Sequence, residues 1–139
     1  QSYDMKRIKV VSALIEKENR FLIGLRSTGK YIGFWEFPGG KVEENESIEN
    51  ALIREILEEF SIDVSIRRFL FRIEHDYDDF FLSMDCFWCQ VDDLSELKLN
   101  DHSQIDWFDP LNDKEYRWLP ADIKVVEKLR EMAQVFTSI

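Results

Sequence analysis

No apolar run in the sequence approaches the roughly 18 residues that a membrane-spanning helix needs, and the N-terminus lacks a basic stretch followed by a hydrophobic one. These absences predict a chain with neither membrane span nor secretory signal, expected in the cytoplasm. Positive charge is also in deficit: 18 Lys and Arg stand against 28 Asp and Glu, a formal net charge of -10. That balance opposes non-specific association with DNA or RNA, so nucleic acid is not an expected partner. A small phosphorylated molecule is not excluded, because clustered carboxylates can hold divalent cations that in turn bind phosphate oxygens.

Cysteine occurs only twice, as Cys86 and Cys89 in a C-x-x-C, the spacing of a redox or zinc half-site. Both fall in Phe80 to Cys89, which reads as a strand, where residues three apart point to opposite faces. Two packed thiols are therefore expected. Internal repeats and low-complexity linkers are missing too. What is present, 139 residues with 45% hydrophobic and 33% charged, suits one globular domain with one core. Gln1 to Asp4 precede Met5 and are expected to be a remnant ahead of a start there, unless an upstream segment is missing. The domain is then residues 5–139, as a monomer or a homodimer.

Lys6 to Ile15 and Phe21 to Leu25 are apolar runs around a polar turn, which predicts a hairpin. Ser27 to Gly33 reads as a loop, and Phe34 to Phe37 as a short extended piece stopped by Pro38-Gly39-Gly40. Ser47 to Phe60 is the clearest helix, with Ser47 placed to cap it and Glu49 in its first turn. Asp63 to Glu74 and Phe80 to Val91 predict two long strands joined by an acidic turn, His75 to Asp79. Gln104 to Phe108 reads as a short strand and Pro110 to Tyr116 as a turn. Ala121 to Phe136 predicts an amphipathic helix with Ile123, Val126, Leu129 and Ala133 on its packed stripe. Two helices are too few for repeated βαβ units, so the predicted fold is a layered α/β/α or α+β arrangement with a mixed sheet between helices.

The first helix carries an unusual charge pattern. Advancing about 100° per residue from Ile48 gathers Ala51, Leu52 and Ile56 into one apolar sector. On the same construction Glu55 and Glu59 fall at about -20° and about +20°, inside that sector, and Glu58 at about -80°, on its edge. Acidic clusters usually mark a solvated face, but this phase aims carboxylates at the core. A buried carboxylate costs several kcal/mol unless paired, and Arg54 alone cannot neutralise three. The deficit asks for cations, and oxygen-only ligands suit Mg²⁺ or Mn²⁺. Just upstream, Gly39 and Gly40 let backbone approach a ligand closely.

Gly40, Glu46, Arg54, Glu55, Ile56, Glu58, Glu59 and Ile62 match, in order and spacing, the Nudix box G-x5-E-x7-R-E-U-x-E-E-x-G-U, where U is a bulky aliphatic. Only the second glycine differs, replaced by Ser61 at a position that favours left-handed backbone; the replacement is expected to cost roughly 1 kcal/mol or to reshape the turn. The chain thus resembles the Nudix hydrolases over nearly its whole length. Its Trp35-Glu36-Phe37-Pro38-Gly39-Gly40, Ile105-Asp106-Trp107-Phe108 and Trp118-Leu119-Pro120-Ala121-Asp122 are similar to segments of MutT-like members.

The resemblance implies a mixed sheet sandwiched by helices and a loop-helix-loop that binds divalent metal and pyrophosphate. It makes Glu55, Glu58 and Glu59 metal-binding, adds the carbonyl of Gly39, places Gly40 against substrate, and gives Arg54 an orienting salt bridge supported by Glu46. The implied chemistry is attack of water on phosphorus, with Glu55 and then Asp101 as candidates for the general base. Asp122 matches a position that reads the nucleobase in relatives, although an Asp there would also serve as an ordinary helix cap. Phe37 is placed either in the base pocket or in the core. His75 and His102 stand alone in polar loops and are expected at the surface; Arg26 and Lys30 suit either phosphate contact or solvent. The expected reaction converts a nucleoside triphosphate to monophosphate and pyrophosphate, with 8-oxo-dGTP or a cytidine nucleotide as candidates. The alternatives are a Nudix hydrolase of a dinucleoside polyphosphate, a nucleotide sugar or capped RNA, and a nucleotide sensor without catalysis, which three intact carboxylates oppose. Pyrophosphate release should require added Mg²⁺ and disappear in Glu58→Gln and Glu59→Gln; unchanged turnover in those variants would remove the box from the chemistry.

Overall fold

The computed structural model describes residues 5–137, so the expectation for residues 1–4 lies outside the described residues. The first hairpin forms as the pattern predicts: β1 (Lys6–Lys17) and β2 (Arg20–Arg26) turn through Glu18 and Asn19, both at positive φ. Two left-handed residues give the twist that a two-residue hairpin needs. β1 and β2 stay paired only beside the turn, at Glu16↔Phe21 and Lys17↔Arg20. Beyond it they diverge. β4 (Gly39–Lys41) takes the flank of β1 at Ser12↔Gly39, while β3 (Trp35–Glu36) takes that of β2 at Gly24↔Glu36. Pro38 therefore interrupts an extended segment without ending it, and the glycine pair expected to stop the strand is itself a strand.

β5 (Ser65–Tyr77) and β6 (Phe80–Gln90) form the long antiparallel hairpin, with its turn at 78–79. The strands run further toward the turn than His75 to Asp79 implied, because the His75 and Tyr77 rings pack at 4.5 Å and Tyr77 stacks on Phe80 at 4.8 Å. β6 runs parallel to β1 along ten register pairs from Lys6↔Phe80 to Ile15↔Cys89, and β7 (His102–Phe108) closes the other side of β2. The sheet has seven strands and is mixed, as expected.

Alternation along the strands divides the core between two layers. Val11, Ala13, Ile15, Leu22, Phe87 and Cys89 face α1 (Ile48–Phe60), which buries Ala51, Leu52, Ile56 and Phe60. Leu14, Ile23, Leu82, Met84 and Cys86 face α2 (Pro120–Thr137), which buries Ala121, Val125, Val126 and Leu129. Truncating a fully buried Leu52 or Leu14 to alanine at such sites costs about 2–5 kcal/mol. Of the predicted α2 stripe Val126 and Leu129 are buried, but Ile123 is 46% exposed and Ala121 and Val125 take its place on the packed face. Cys86 and Cys89 do fall on opposite faces, and burial holds both thiols above their usual range, Cys89 at about 12.

Ser47 caps α1 by accepting from the Asn50 N–H at 3.1 Å. At the other end Ser61 adopts the left-handed conformation, φ 57°, that glycine takes without strain. Asn100 offsets that cost. Its side-chain amide donates to Ser61 Oγ at 2.8 Å and to the Glu58 carbonyl at 2.9 Å, while its own N–H bonds the Glu59 carbonyl. The segment before β7 thus satisfies the last carbonyls of the helix, and it also brings Asp101 to the inner side of α1. Replacing Asn100 with alanine should cost about 1 kcal/mol in urea denaturation, part of which Ser61→Gly recovers in the same background. Undiminished stability in Asn100→Ala would show that the turn stands without this cap.

Candidate active site

The divergence of β1 from β2 opens a pocket of about 350 Å³, lined from one side by Val10, Val11 and Met84 and from the other by Arg26, Glu36 and Asp101. Its floor is the turn from β3 into β4. Pro38 donates no hydrogen bond there but accepts two, from the Ala13 N–H at 2.8 Å and Ser12 Oγ at 3.3 Å. Gly39 has φ 150° and lies so close to β1 that a Cβ would collide with the Val11 carbonyl. A Cβ on Gly40 would collide with the Glu55 carboxylate. Space therefore requires Gly39, which presses the loop onto the β1 backbone, while Gly40 lets the Glu55 carboxylate lie on the loop in the orientation seen.

Arg54 organises the outer half of the site. Its guanidinium donates to both oxygens of Glu46, at 2.7 and 2.9 Å, to Glu55 at 2.9 Å and to the Lys41 carbonyl at 3.0 Å. Such a bidentate pair fixes geometry as well as charge. The Arg54 bond, reinforced by the Glu43 N–H, holds Glu46 down at about 2, and the same partners raise the guanidinium further above its usual value. Glu55 is raised by burial in spite of Arg54. Among the described residues the Glu58 carboxylate pairs with Arg54 alone, at 3.4 Å, and its side chain is 59% exposed.

Glu59 lies deepest. Its carboxylate accepts the Gly39 N–H at 3.0 Å and its side chain is 7% exposed. Desolvation, followed by the neighbouring Glu36 carboxylate, pushes it up to about 9. The helical-phase reading is correct here: the apolar sector of α1 carries two buried or half-buried carboxylates into the fold.

Two residues that the sequence reading did not place in the site join this group. Glu36 accepts from Arg26 at 2.9 Å on one oxygen and contacts His102 Nε2 at 2.9 Å with the other. His102, expected at the surface, is buried, with its ring stacked on Phe60 at 5.1 Å. Asn100 and the pairing of β7 with β2 pull it inward, and Gly24 leaves the space for its ring. The only sequence signals were an acid wedged between Trp35 and Phe37 and a glycine inside the apolar run of β2. Arg26 is committed to Glu36, and Lys30 lies over the Tyr31 ring.

Asp122, which also lines the pocket, stands in the first turn of α2, 4% exposed. Burial, followed by the Glu36 carboxylate, raises it well above the usual carboxylate range, against the Phe37 backbone N–H. Tyr31 and Tyr77 form the aromatic wall, and Tyr77 Oη accepts the Ala121 N–H at 3.0 Å. Phe37 does not reach this wall: it stacks flat on Trp118 at 5.3 Å beneath the pocket, in the core. A second cleft of similar volume lies beside Phe21, Trp88 and Leu129, is mainly apolar, and contains no carboxylate cluster.

A family model described as NUDIX domain matches residues 5–129. The chain belongs to the Nudix family. It is 32% identical over 124 residues to a CTP pyrophosphohydrolase of Escherichia coli (strain K12), covering 88% of this chain and 91% of the relative. It is 40% identical over 86 residues to an 8-oxo-dGTP diphosphatase of Proteus vulgaris, covering 60% of this chain and 77% of that one. Among solved structures, the E. coli ORF135 protein superposes with a TM-score of 0.78 at 30% identity, covering 93% and 92% of the two chains. The mixed sheet between helices is the Nudix fold, and the chain is a hydrolase of that family.

Nudix hydrolases typically use a divalent metal, and the donor set fits one. Glu55 and Glu59 are raised by desolvation, and no lysine or arginine is paired with Glu59 among the described residues. Glu36, Glu59 and His102 bring ligand atoms within 4.8 Å of one another. A cation there would supply the charge that these carboxylates lack when ionised.

Glu59 also links stability to pH. Its folded value lies above the ordinary 4.5, so the metal-free fold takes up a proton there. That contribution is complete below about pH 4.5 and is lost as pH rises through about 9. In chelator, Glu59→Gln should melt above the parent at pH 8–9, by a margin that shrinks toward pH 5. A gap that stays constant with pH would show that Glu59 is not held protonated.

Proposed function

We propose that this Nudix hydrolase converts a nucleoside triphosphate to its monophosphate and pyrophosphate, with Mg²⁺, or Mn²⁺ in its place, as the cofactor. The observation that carries this reading is one pocket lined by two chemically different groups: Glu55 and Glu59 lie against the glycine pair, and a buried Asp122 lines the same pocket with Tyr31 and Tyr77. The first group suits the phosphates and the second a base.

For the phosphates, Glu55, Glu58 and Glu59 are the metal-binding carboxylates, with the Gly39 carbonyl beside them. Held by these residues, a divalent cation would neutralise charge spreading over phosphate oxygens and would lower the pKa of a water bound to it. Arg54, fixed by Glu46, holds Glu55 in one orientation, and Gly40 leaves room for it. Positioning of this kind accounts for much of phosphoryl-transfer catalysis. Glu55 and Asp101 both line the pocket, and the raised value of Glu55 favours it as the proton acceptor.

Burial raises Asp122 well above the usual carboxylate range, and in its protonated form it would set one donor beside one acceptor. Cytosine offers the complement in N4–H and N3, and 8-oxoguanine in N7–H and O6. The names of the two relatives above cover both bases, and cytidine and 8-oxoguanine triphosphates are the first substrates to assay. Pyrophosphate release with Mg²⁺ and with chelator, across CTP, 8-oxo-dGTP, the common nucleotides, a dinucleoside polyphosphate and ADP-ribose, tests the class. Conversion of one triphosphate to monophosphate supports it, and activity confined to ADP-ribose or the dinucleoside compound overturns it. Asp122→Ala should raise KM roughly tenfold or more with little change in kcat, whereas Asp122→Asn, which keeps a donor and an acceptor, should stay close to the parent. An Asn variant as poor as the Ala variant would exclude the neutral carboxyl.

A further inference from the structure

His102 has no role in the chemistry above, yet its ring is 1% exposed and sits against the catalytic carboxylates. It is held from three sides. Phe60 stacks on it with planes 4° apart, Gly24 leaves so little space that a Cβ would lie 2.5 Å from the ring, and Nε2 meets Glu36 Oε2 at 2.9 Å. The same nitrogen is 4.0 Å from Glu59 Oε2. Arg26 holds the other Glu36 oxygen at 2.9 Å, so this carboxylate is pinned at both ends.

Two assignments fit those distances. As a metal ligand, His102 would offer the Nε2 lone pair and carry its proton on Nδ1. That nitrogen is buried without a hydrogen-bond partner among the described residues. Metal-bound histidines almost always donate from their second nitrogen to an acceptor, and a buried N–H without one costs about 1–3 kcal/mol. As a donor, Nε2–H makes a charge-assisted bond to Glu36 and leaves Nδ1 as a bare acceptor. Nδ1 lacks a partner among the described residues in either assignment, but the second leaves an acceptor rather than an N–H unpaired and makes the 2.9 Å contact with Glu36 a hydrogen bond.

We propose that His102 is a positioning residue: its Nε2–H holds the Glu36 carboxylate beside Glu59, so that the two present their oxygens to one divalent cation. This rests on the cation-dependent reading above and adds Glu36 to the carboxylates that serve it. Without the imidazole donor, the Glu36 carboxylate is free to rotate away from Glu59, and the cation meets a site that must be reassembled on binding.

Mn²⁺ alone, titrated onto the parent protein and its variants and followed by electron paramagnetic resonance, reads this directly, with each melting temperature measured alongside. His102→Leu should weaken Mn²⁺ binding roughly tenfold or more, and His102→Gln, whose amide N–H replaces Nε2–H, should stay within about threefold of the parent. Glu36→Gln keeps the volume and removes the charge; it should weaken binding about as much as His102→Leu and serves as the second variant if the leucine protein does not fold. Equal affinity in the parent and the Leu or Glu36→Gln variant overturns the proposal, as does a Gln variant as weak as the Leu variant. A parent protein that binds no Mn²⁺ sinks the cation reading itself, which separates the two failures.

Discussion

Carboxylates on the inward face of α1 are the constraint to which the rest of the site is fitted. Glu59 is buried between the helix and the loop that it caps, and an ionised group there is costly unless something answers its charge. The Gly39 N–H gives one hydrogen bond, and Arg54 serves Glu55 from the outside. Neither reaches far enough to neutralise the group. The glycine pair, the Arg54–Glu46 fork and the shape of the pocket all follow from accommodating these side chains.

The sheet supplies the space. Because β1 and β2 separate after two register pairs, a short strand can dock on each, and the turn between those strands carries the glycine pair to the mouth of the gap. Closing that gap by continuous pairing would fill the place where phosphates are proposed to lie. The same divergence frees β2 to pair with β7, which brings Asp101 and His102 toward the helix they could not reach through α1 alone.

Chemical differentiation within one acidic pocket then comes from partners and burial. Glu46 is held low by Arg54, Glu59 is driven up by desolvation, and Asp122 is raised by its burial in the first turn of α2. A net charge of -10 would otherwise argue against binding a polyanion. Concentrating unneutralised carboxylates at one point turns that charge into affinity for cations, and through them for phosphate. The proposed base recognition at Asp122 needs no cation, since a protonated carboxyl would bind through hydrogen bonds.

What could be read in the sequence was whatever depends on local period and spacing. The first hairpin, both helices, the opposite faces of Cys86 and Cys89, and the inward phase of Glu55 and Glu59 follow from residue intervals of about 3.6 and 2. The box marked the Glu46–Arg54 pairing because its partners lie on one loop and one helix. Only the tertiary structure could decide the rest. Glu36, Gly24 and His102 are dispersed over β3, β2 and β7, and their meeting depends on which strands pair and in which register. Phe37 and Tyr77 show the same limit: an aromatic near the site becomes core or pocket wall according to the layer its strand faces. Periodicity determines which way a side chain points, but only packing determines what it finds there.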